Sequence, residues 1–390
     1  MPNPVIVSAV RTAIGTSRKG SLVDVPAEAL ARFVLEAAIA RSGLSPDLVD
    51  DVIFAESLYG GGDLARHAAV EAGLMRIPGQ AVNRHCAGSL AAVSQAAATI
   101  RAGMDRAVVA GGAHSGSMMP RMKQRTPLTD EFGEFWMPPT HPDSPEAPNM
   151  DMSITVGWNT AKAADISRED MDAWALRSHE RAIAAIDAGR FADEILPIRV
   201  QRRDGSSFDF AVDEYPRRDT TMERLAGLKT LHPEIEGFSI TAGNACGSND
   251  AGAALMVVDE DLARSEGLKS MAKVRSWAAV GIDPRLTGMS VIDVIPKVLA
   301  RAGVKQSDVA LWEINEAFAS VPIAACKRLG IDEASVNISG SGCSLGHPIA
   351  ASGARMLTTL IHDLRRRGGG LGVATMCAGG GMGGAVLIEV

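Results

Sequence analysis

Two copies of one short pattern, far apart in the chain, most constrain how it can fold. Residues 39–44 read IARSGL, and residues 299–304, 260 positions later, read LARAGV. Each copy predicts a helix that ends at a glycine, followed by a short polar link and an apolar strand. A weaker echo pairs the Val-Asn dipeptide at 82–83 with the same dipeptide at 336–337. Two echoes in the same order predict two similarly folded halves.

Strands alternate with helices along both halves, which predicts an α/β fold. In the first half, apolar runs at 4–10 and 107–111 predict strands, and residues 88–102 predict a long amphipathic helix. The second half repeats the alternation with a strand at 311–314 and a helix at 350–365. Because βαβ units of this kind normally use helical crossovers, we expect a largely parallel sheet.

A proline-rich segment at 119–150 interrupts this alternation. Seven of the 19 prolines lie in it, which indicates a long extended loop, and long loops inside compact enzymes usually have a function. After it, Ser167 and Asp170 have the spacing of a capping box, so we expect a helix to begin there and to end at Gly189.

Charge and cysteine usage exclude several classes of protein. The net charge is −7, from 39 basic and 46 acidic residues, without the basic stripe of a nucleic-acid binder. None of the five cysteines has a Cys-x-x-Cys partner, so neither a disulfide framework nor a metal site is expected. Residues 1–13 lack the apolar core of a signal peptide, and no apolar run could cross a bilayer. We therefore expect a cytoplasmic protein with no membrane partner.

Cys86 is a candidate nucleophile because it lies between a predicted strand and the start of a predicted helix. A thiol at a helix N-terminus feels the positive end of the helix dipole, which favours the thiolate. The small residues at 87–89 leave room for a carbonyl group to approach. The alternative is a buried structural cysteine. His85 is expected to point the other way.

Three further turns carry candidate groups. His347 lies in a turn bounded by glycine and proline, where it is either a general base or a satisfied loop histidine. Cys377 precedes a run of glycines that includes Gly379, whose exposed N–H groups suit an oxyanion hole, a tight hairpin, or both. Asn315 ends a predicted strand, where α/β sheets place functional groups, although it could equally cap the next helix.

Taken together, these motifs closely resemble the thiolase family. The most specific are EINEAFA at 313–319, GHP at 346–348 followed by SGAR, and Cys377 with its glycines. The resemblance runs nearly end to end and implies a five-layer αβαβα sandwich of two similar halves with an inserted loop domain. The implied domains are an N-terminal half at 1–118 completed by about 250–270, a loop domain at 119–249 over the active site, and a C-terminal half at 271–390.

The resemblance also implies reversible Claisen chemistry. Cys86 would carry the acyl group, His347 would activate it, and Cys377 would act as acid and base. One oxyanion hole would use the backbone N–H groups of Cys86 and Gly379, and the other would use His347 and a water held by Asn315. The implied reaction is thiolysis of a 3-oxoacyl-CoA by CoA, or condensation of an acyl-CoA with acetyl-CoA. CoA is then a co-substrate, no bound cofactor is needed, and the expected assembly is a homodimer or homotetramer.

Several positions depart from the family pattern. Residues 86–89 read CAGS where CGSG or CSSG is usual, and residues 151–153 read DMS where HMG is common. Cys246 stands where many members have a serine that contacts pantetheine. The resemblance places CoA contacts at Arg217, Cys246 and Met152, so these departures bear on the choice of acyl group, which the sequence leaves open.

Other functions fit the motifs less well. A ketoacyl synthase would need a Cys-His-His set, whereas the third position here is Cys377. A thiolase-like protein that binds acyl-CoA or lipid with little turnover would be expected to lose Cys86 or His347. A Cys-His hydrolase would give Cys377 no task.

Overall fold

The computed structural model describes residues 2–390, in which helices and strands follow one another along most of the chain. The strands are β1 (Pro4–Arg11), β2 (Gly15–Thr16), β3 (Asp51–Ala55), β4 (Gly79–Val82), β5 (Ala107–Ser115), β6 (Ile198–Gln201), β7 (Ser207–Phe210), β8 (Asn249–Asp259), β9 (Ala272–Gly281), β10 (Val309–Ile314), β11 (Leu371–Ala378) and β12 (Met382–Glu389). The α-helices are α1 (Ala27–Ser42), α2 (Leu64–Glu71), α3 (Gly88–Arg101), α4 (Asn159–Ala164), α5 (Arg168–Asp187), α6 (Met222–Ala226), α7 (Glu260–Ser265), α8 (Ser290–Ala302), α9 (Ser320–Leu329), α10 (Gly342–Leu345) and α11 (Ser352–Arg366).

The main sheet is mixed, so the expectation of a largely parallel sheet is wrong. Its strand order is β10-β11-β12-β9-β1-β8-β5-β3-β4, with β2 added beside β8. Parallel neighbours within residues 2–390 are β3 with β4, β3 with β5, and β10 with β11. The reason is that β12 follows β11 through a hairpin, and β8 follows the long insertion, so neither is reached by a helical crossover.

The two halves repeat one topology, as the repeated pattern predicts. The first half has the order β1-β8-β5-β3-β4, and the second has β9-β12-β11-β10 with Val336 bridging Trp312 in parallel at the edge. The helices α1 and α8 end at Gly43 and Gly303, which adopt left-handed φ angles of 77° and 65°. A 3₁₀ turn follows each glycine before the next strand begins.

Three separate hydrophobic clusters arrange these elements in layers. One lies between α1, α2 and the outer face of the first-half strands, and another packs α8 and α9 on the second-half strands. The third contains Leu90 of α3 and Leu357 of α11 together with Leu255 of β8 and Val386 of β12. Because α3 and α11 thus lie between the strands of both halves, the layers run helix, sheet, helix, sheet, helix.

Most predicted boundaries are close to the observed ones. The helix predicted at 88–102 spans Gly88–Arg101, whereas the one predicted at 350–365 begins two residues later, at Ser352. The capping box is confirmed, since Ser167 accepts from the Asp170 N–H and Asp170 accepts from the Ser167 N–H. Across residues 2–390, no helix is both long and apolar enough to cross a membrane.

Arg11 fastens the inserted region to the first half. Its buried guanidinium donates to Glu194 Oε1 at 2.7 Å and forms a bidentate pair with Asp213 at 2.8 and 2.9 Å. Asp213 Oδ1 also accepts the N–H of Ile14 at 2.8 Å. Since a buried charge needs complete pairing, this network fixes the insertion against β1.

Candidate active site

Cys86 lies in a 3₁₀ turn, His85–Ala87, that leads directly into α3. Burial raises the pKa of its thiol to about 11, although N–H groups of Gly379 and of Cys86 itself oppose that shift. Burial therefore opposes the thiolate that the helix N-terminus favours, and the thiolate preference stays a prediction. The sulfur is nevertheless surrounded by backbone N–H donors from two different turns.

The sequence analysis expected His85 to point away from this region, and that expectation is wrong. His85 has a left-handed φ of 45°, and a Cβ at Gly379 would lie 3.7 Å from its Cγ. The unusual backbone angle turns the side chain toward the glycine-rich turn. Burial lowers the pKa of His85, so the ring is neutral at pH 7.

The turn that carries His347 is shaped by Asn249. The His347 N–H donates to Asn249 Oδ1 at 3.0 Å. The preceding Gly346 has a φ of 98°, and a Cβ there would lie 2.3 Å from the same oxygen. Only glycine fits both the backbone angle and this close approach, which explains the glycine of the GHP motif.

Hydrogen bonds around the His347 ring select one tautomer. Ser352 Oγ lies 2.6 Å from Nδ1 and donates its own proton to the Pro348 carbonyl at 2.9 Å. The serine oxygen must therefore accept from Nδ1–H, which leaves Nε2 as the unprotonated nitrogen of the neutral ring. Burial, and to a smaller extent His114 and Arg355, lowers the pKa of His347 to about 3, so the ring is neutral at pH 7. Nε2 is thus available as a base.

Asn315 lies beside that unprotonated nitrogen and can donate a hydrogen bond to it. Its Nδ2 lies 3.4 Å from His347 Nε2, and its backbone N–H donates to the Thr375 carbonyl at 3.0 Å. Its Oδ1 is buried and has no hydrogen-bond partner within residues 2–390. Because buried amide oxygens are normally paired, this one is an unused acceptor on the amide next to the His347 ring.

Glu316, next in the chain, anchors the surrounding turns. Its carboxylate accepts hydrogen bonds from Trp174 Nε1 at 2.9 Å, Ser178 Oγ at 2.6 Å, Asn337 Nδ2 at 2.8 Å and the Cys343 N–H at 3.1 Å. These donors come from α5, from the segment that follows α9, and from α10. A fully satisfied carboxylate of this kind fixes Asn315 in position.

Cys377 occupies the end of β11, opposite Gly383 of β12. The glycines between them form the tight hairpin, with positive φ angles at Gly380 and Gly381. Burial raises the pKa of Cys377 well above its usual range, and interactions with Cys86 and then Cys246 add to the shift. The 3₁₀ turn that carries Cys86 packs against β11, so the thiols of Cys86 and Cys377 lie in the same region.

The turns of Cys86 and His347 are held together by contact between α3 and α11. Ser89 Oγ accepts the Ala354 N–H at 3.0 Å, and a Cβ at Gly353 would lie 2.7 Å from Leu90. The glycine of the SGAR motif therefore permits the two helix starts to touch. The serine at position 89, part of the unusual CAGS sequence, secures this contact.

Two of the three predicted CoA contacts, Cys246 and Arg217, are connected through Tyr215. The Cys246 thiol interacts electrostatically with Cys86, and its N–H donates to the Ala317 carbonyl at 3.0 Å. Next to it, a Cβ at Gly247 would lie 2.6 Å from the Tyr215 ring. The exposed Arg217 has its guanidinium carbon 5.9 Å from the centre of that ring.

The third, Met152, precedes a π-helix at Ser153–Trp158 and packs against the hydrophobic cluster of the second half. Its neighbour Asp151 accepts from Ser153 Oγ at 2.6 Å and pairs with His232 Nε2 at 2.6 Å. The unusual acidic residue at 151 is thus bound to another part of the insertion.

The sequence analysis missed three residues of this site: Ser352, Asn249 and Tyr215. Ser352 was visible only as part of a motif, and its spacing from His347 by five residues was the one available signal. Asn249 and Tyr215 reach the site from distant segments, so no local pattern reveals them.

Comparisons with known proteins give two family models that together match nearly the whole chain. Residues 4–261 match the family described as thiolase, N-terminal domain, and residues 268–390 match thiolase, C-terminal domain. An acetyl-CoA acetyltransferase of Escherichia coli (strain K12) is 40% identical, covering 100% of this chain and 99% of that protein. A 3-ketoacyl-CoA thiolase of Bacillus subtilis (strain 168) is 35% identical over 100% of both chains.

A solved structure agrees with these relatives. The crystal structure of the Bacillus anthracis acetyl-CoA acetyltransferase superposes with a TM-score of 0.91 at 36% identity, covering 100% of this chain and 99% of that one. The similarity therefore extends over the whole fold and includes both halves and the insertion.

Proposed function

This chain belongs to the thiolase family of acyltransferases, and on that premise we propose that it cleaves a 3-oxoacyl-CoA with CoA, or runs the reverse condensation, through an acyl-Cys86 intermediate. The observation that carries the proposal is a second buried thiol, Cys377, on the strand that packs against the turn of Cys86. A hydrolase needs one nucleophilic thiol, whereas Claisen chemistry also needs a group that exchanges a proton with carbon and with CoA.

In the first step, the Cys86 proton moves to His347 Nε2 as the sulfur attacks the 3-oxo carbonyl. The pKa of about 11 at Cys86 means that this transfer accompanies substrate binding rather than precedes it. The N–H groups of Cys86 and Gly379, which already surround the sulfur, would stabilise the oxyanion on the attacked carbon.

Carbon–carbon cleavage then leaves the acyl group on Cys86 and an acetyl-CoA enolate. His347, now protonated, carries a hydrogen on Nε2 that can donate to the enolate oxygen. The free Oδ1 of Asn315 would hold a water that donates to the same oxygen. Cys377 gives its proton to the enolate carbon, and a thiol of raised pKa retains that proton until it is needed.

The second step returns every group to its starting state. The Cys377 thiolate takes the thiol proton of an incoming CoA, whose sulfur attacks the acyl carbonyl on Cys86. The tetrahedral intermediate uses the same pair of N–H donors and collapses to release the new acyl-CoA. The Cys86 thiolate recovers its proton from His347, so protons balance over the cycle.

Recognition of CoA is assigned to the path from Arg217 to Cys246. We place the pantetheine arm along Tyr215 and Cys246, and Arg217 near the negatively charged nucleotide end. Met152 would line the acyl group. The cytoplasmic location, the domain boundaries and the homodimeric or homotetrameric state expected from the sequence stay predictions.

The test is thiolysis of a panel of 3-oxoacyl-CoA substrates by the full chain, compared with three single variants. Cys86→Ala should abolish both turnover and acyl-enzyme detected by mass spectrometry. Cys377→Ala should abolish turnover yet still form acyl-Cys86 from an acyl-CoA donor. Cys326→Ala, a matched change at a buried cysteine of α9, should keep the wild-type rate.

Two outcomes would contradict the proposal. If Cys377→Ala retains the wild-type rate, the second thiol has no task and hydrolysis becomes the better explanation. If the wild type binds acyl-CoA without turning over any member of the panel, the protein is an acyl-CoA binder.

A further inference from the structure

Three titratable side chains of the insertion contact one another beside Met152, and the mechanism described above gives none of them a task. His232 Nε2 lies 2.6 Å from Asp151 Oδ2, and His232 Nδ1 lies 2.8 Å from Glu234 Oε1. Asp151 immediately precedes Met152, which would line the acyl group. The set of Asp151, His232 and Glu234 is the histidine bridge.

Both ring nitrogens of His232 must carry hydrogen for the two contacts to coexist. A neutral imidazole has one N–H and one lone pair, and that lone pair would face a carboxylate oxygen at hydrogen-bond distance. Neither carboxylate supplies the missing hydrogen. Partial burial opposes the shift, but hydrogen bonds from Ser153 and His232 lower the pKa of Asp151. The pKa of Glu234 is lowered by its own N–H and then by His232. The bridge is therefore an imidazolium between two carboxylates.

The charged groups around His232 favour the protonated ring. The hydrogen bond to Glu234 is the largest effect and raises the pKa of His232, burial opposes it, and Asp151 raises the pKa further. The cation of the neighbouring helix α4, Lys162, lies over the Trp158 ring, 3.5 Å from its centre. Because the folded pKa is above the ordinary value of 6.5, the bridge is complete below pH 6.5 and is lost as the pH rises through the folded value.

The bridge joins two segments that pack together at the site. Asp151 precedes the π-helix, and a Cβ at Gly157 of that helix would lie 3.0 Å from Ile240 Cγ1. On the other side, His232 follows Leu231, whose N–H donates to the Ile240 carbonyl at 2.9 Å. Apolar packing thus holds the end of the π-helix against this segment, and the bridge holds its start.

Hydrogen bonds within the turn at Asp151 do not replace the bridge. Asp151 Oδ1 accepts the N–H and the Oγ–H of Ser153 at 2.9 and 2.6 Å, and the Asp151 carbonyl accepts the Thr155 N–H at 3.2 Å. All of these groups belong to one turn, so they fix its shape but not its distance from His232. The position of Met152 therefore depends on the bridge.

We propose that His232 is a positioning residue that, as an imidazolium between Asp151 and Glu234, holds Met152 against the acyl group. The inference rests on the proposed function, because it takes Met152 as part of the acyl site. When His232 loses its proton to solvent, one of its two contacts breaks and the turn that carries Met152 is released. The acyl-CoA should then bind more weakly, whereas proton transfer at Cys86 should be unaffected.

The first measurement is the titration of His232 in the full chain by NMR of ¹³C-labelled histidine, with His232→Gln used to assign its signal among the eight histidines. The pKa of His232 should lie above the ordinary value of 6.5. Asp151→Asn should bring it closer to that value, because the ring then has one anionic partner instead of two.

The second measurement is KM for a 3-oxoacyl-CoA in thiolysis between about pH 6 and 9, in the wild type and in His232→Gln. The ratio of KM in the variant to KM in the wild type should be about two- to fivefold at about pH 6 and should fall to about one once His232 has titrated. The ratio of kcat values should stay constant. The control, His67→Gln, removes another half-exposed histidine, which lies 3.9 Å from Glu71, and should keep the wild-type profile.

Three results would overturn the proposal: a pKa of His232 at or below 6.5, a KM ratio that does not change with pH, or a pH dependence confined to kcat. If the wild type turns over no substrate, the proposed function fails, and the same ratio is then measured on the dissociation constants of an acyl-CoA. A constant ratio there, or no binding, overturns the role of the bridge. The failures of the two proposals are therefore distinguishable.

Discussion

Replacing Ser352 by alanine tests the assignment of His347 as the base more sharply than removing the histidine itself. The serine oxygen is the acceptor for Nδ1–H at 2.6 Å, and His347 is only 5% exposed. Without that acceptor, a buried N–H donor is left unpaired, which costs about 1–3 kcal/mol. The ring can avoid the cost by moving its proton to Nε2 if the Asn315 amide, whose Nδ2 lies 3.4 Å from Nε2, flips to present its unpaired Oδ1 there.

In that second tautomer Nε2 can no longer accept the Cys86 proton. A penalty of about 1–3 kcal/mol for restoring the productive tautomer lowers kcat by about 5- to 150-fold. KM for CoA should change little, because the proposed CoA contacts lie on the path from Arg217 to Cys246. The assay is steady-state thiolysis together with the rate of Cys86 acylation in a single turnover.

The matched control is Thr358→Ala. Thr358 is buried on the same helix and donates to the Ala354 carbonyl at 2.9 Å, as Ser352 does to Pro348, but it has no histidine partner. Both variants lose the same kind of helical hydrogen bond, so their free energies of unfolding should be similar. If Ser352→Ala acylates Cys86 within about twofold of Thr358→Ala, the tautomer argument is wrong.

Three further predictions concern other parts of the structure. With the pKa of Cys86 raised to about 11, its alkylation by iodoacetamide in the free enzyme should accelerate about tenfold per pH unit between about pH 7 and 9. Arg11→Met should lower the free energy of unfolding in urea by about 3–5 kcal/mol, because it leaves two buried carboxylates without their cation. Gly380→Ala should lower the free energy of unfolding by about 1–2 kcal/mol, because the φ of Gly380 is 82°. Gly379→Ala should lower it less, since a Cβ at Gly379 would meet nothing closer than 3.7 Å.

Each of these has a result that would contradict it. An alkylation rate already constant at pH 7 would show a preformed thiolate at Cys86. For Arg11, the comparison is Arg203→Met, which breaks an exposed pair with Asp24 and should leave the free energy of unfolding almost unchanged. Equal losses for the two arginine variants, or for the two glycine variants, would refute the respective structural argument.

The elements that the sequence predicted well are those with strong local signals. The paired helix ends at Gly43 and Gly303 and the capping box at Ser167 depend on neighbouring residues alone, and the structure has all of them. The direction of the strands was predicted wrongly, because the antiparallel position of β8 depends on pairing across more than a hundred residues. Local periodicity contains no information about such pairing.

In the candidate site, too, the features with local sequence signals were predicted and those that depend on the assembled fold were not. The turns that carry Cys86, His347, Asn315 and Cys377 were predicted from glycines and strand ends near them. The protonation states of those groups were not predicted, because burial controls them. Burial depends on how the layers assemble, which the local sequence does not show. The orientation of His85 was missed for a related reason, since a left-handed φ at a non-glycine residue has no sequence signature.

The place of β8 has a consequence for how the chain is made. It lies between β1 and β5, so both of those strands keep an unpaired edge until residues 249–259 have left the ribosome. The first sheet therefore stays incomplete until well over half of the chain has been synthesised. Unpaired apolar strand edges are where chains aggregate. We expect this protein to depend on chaperones during synthesis, and a truncation before residue 249 to be insoluble although it contains every residue of the Cys86 turn.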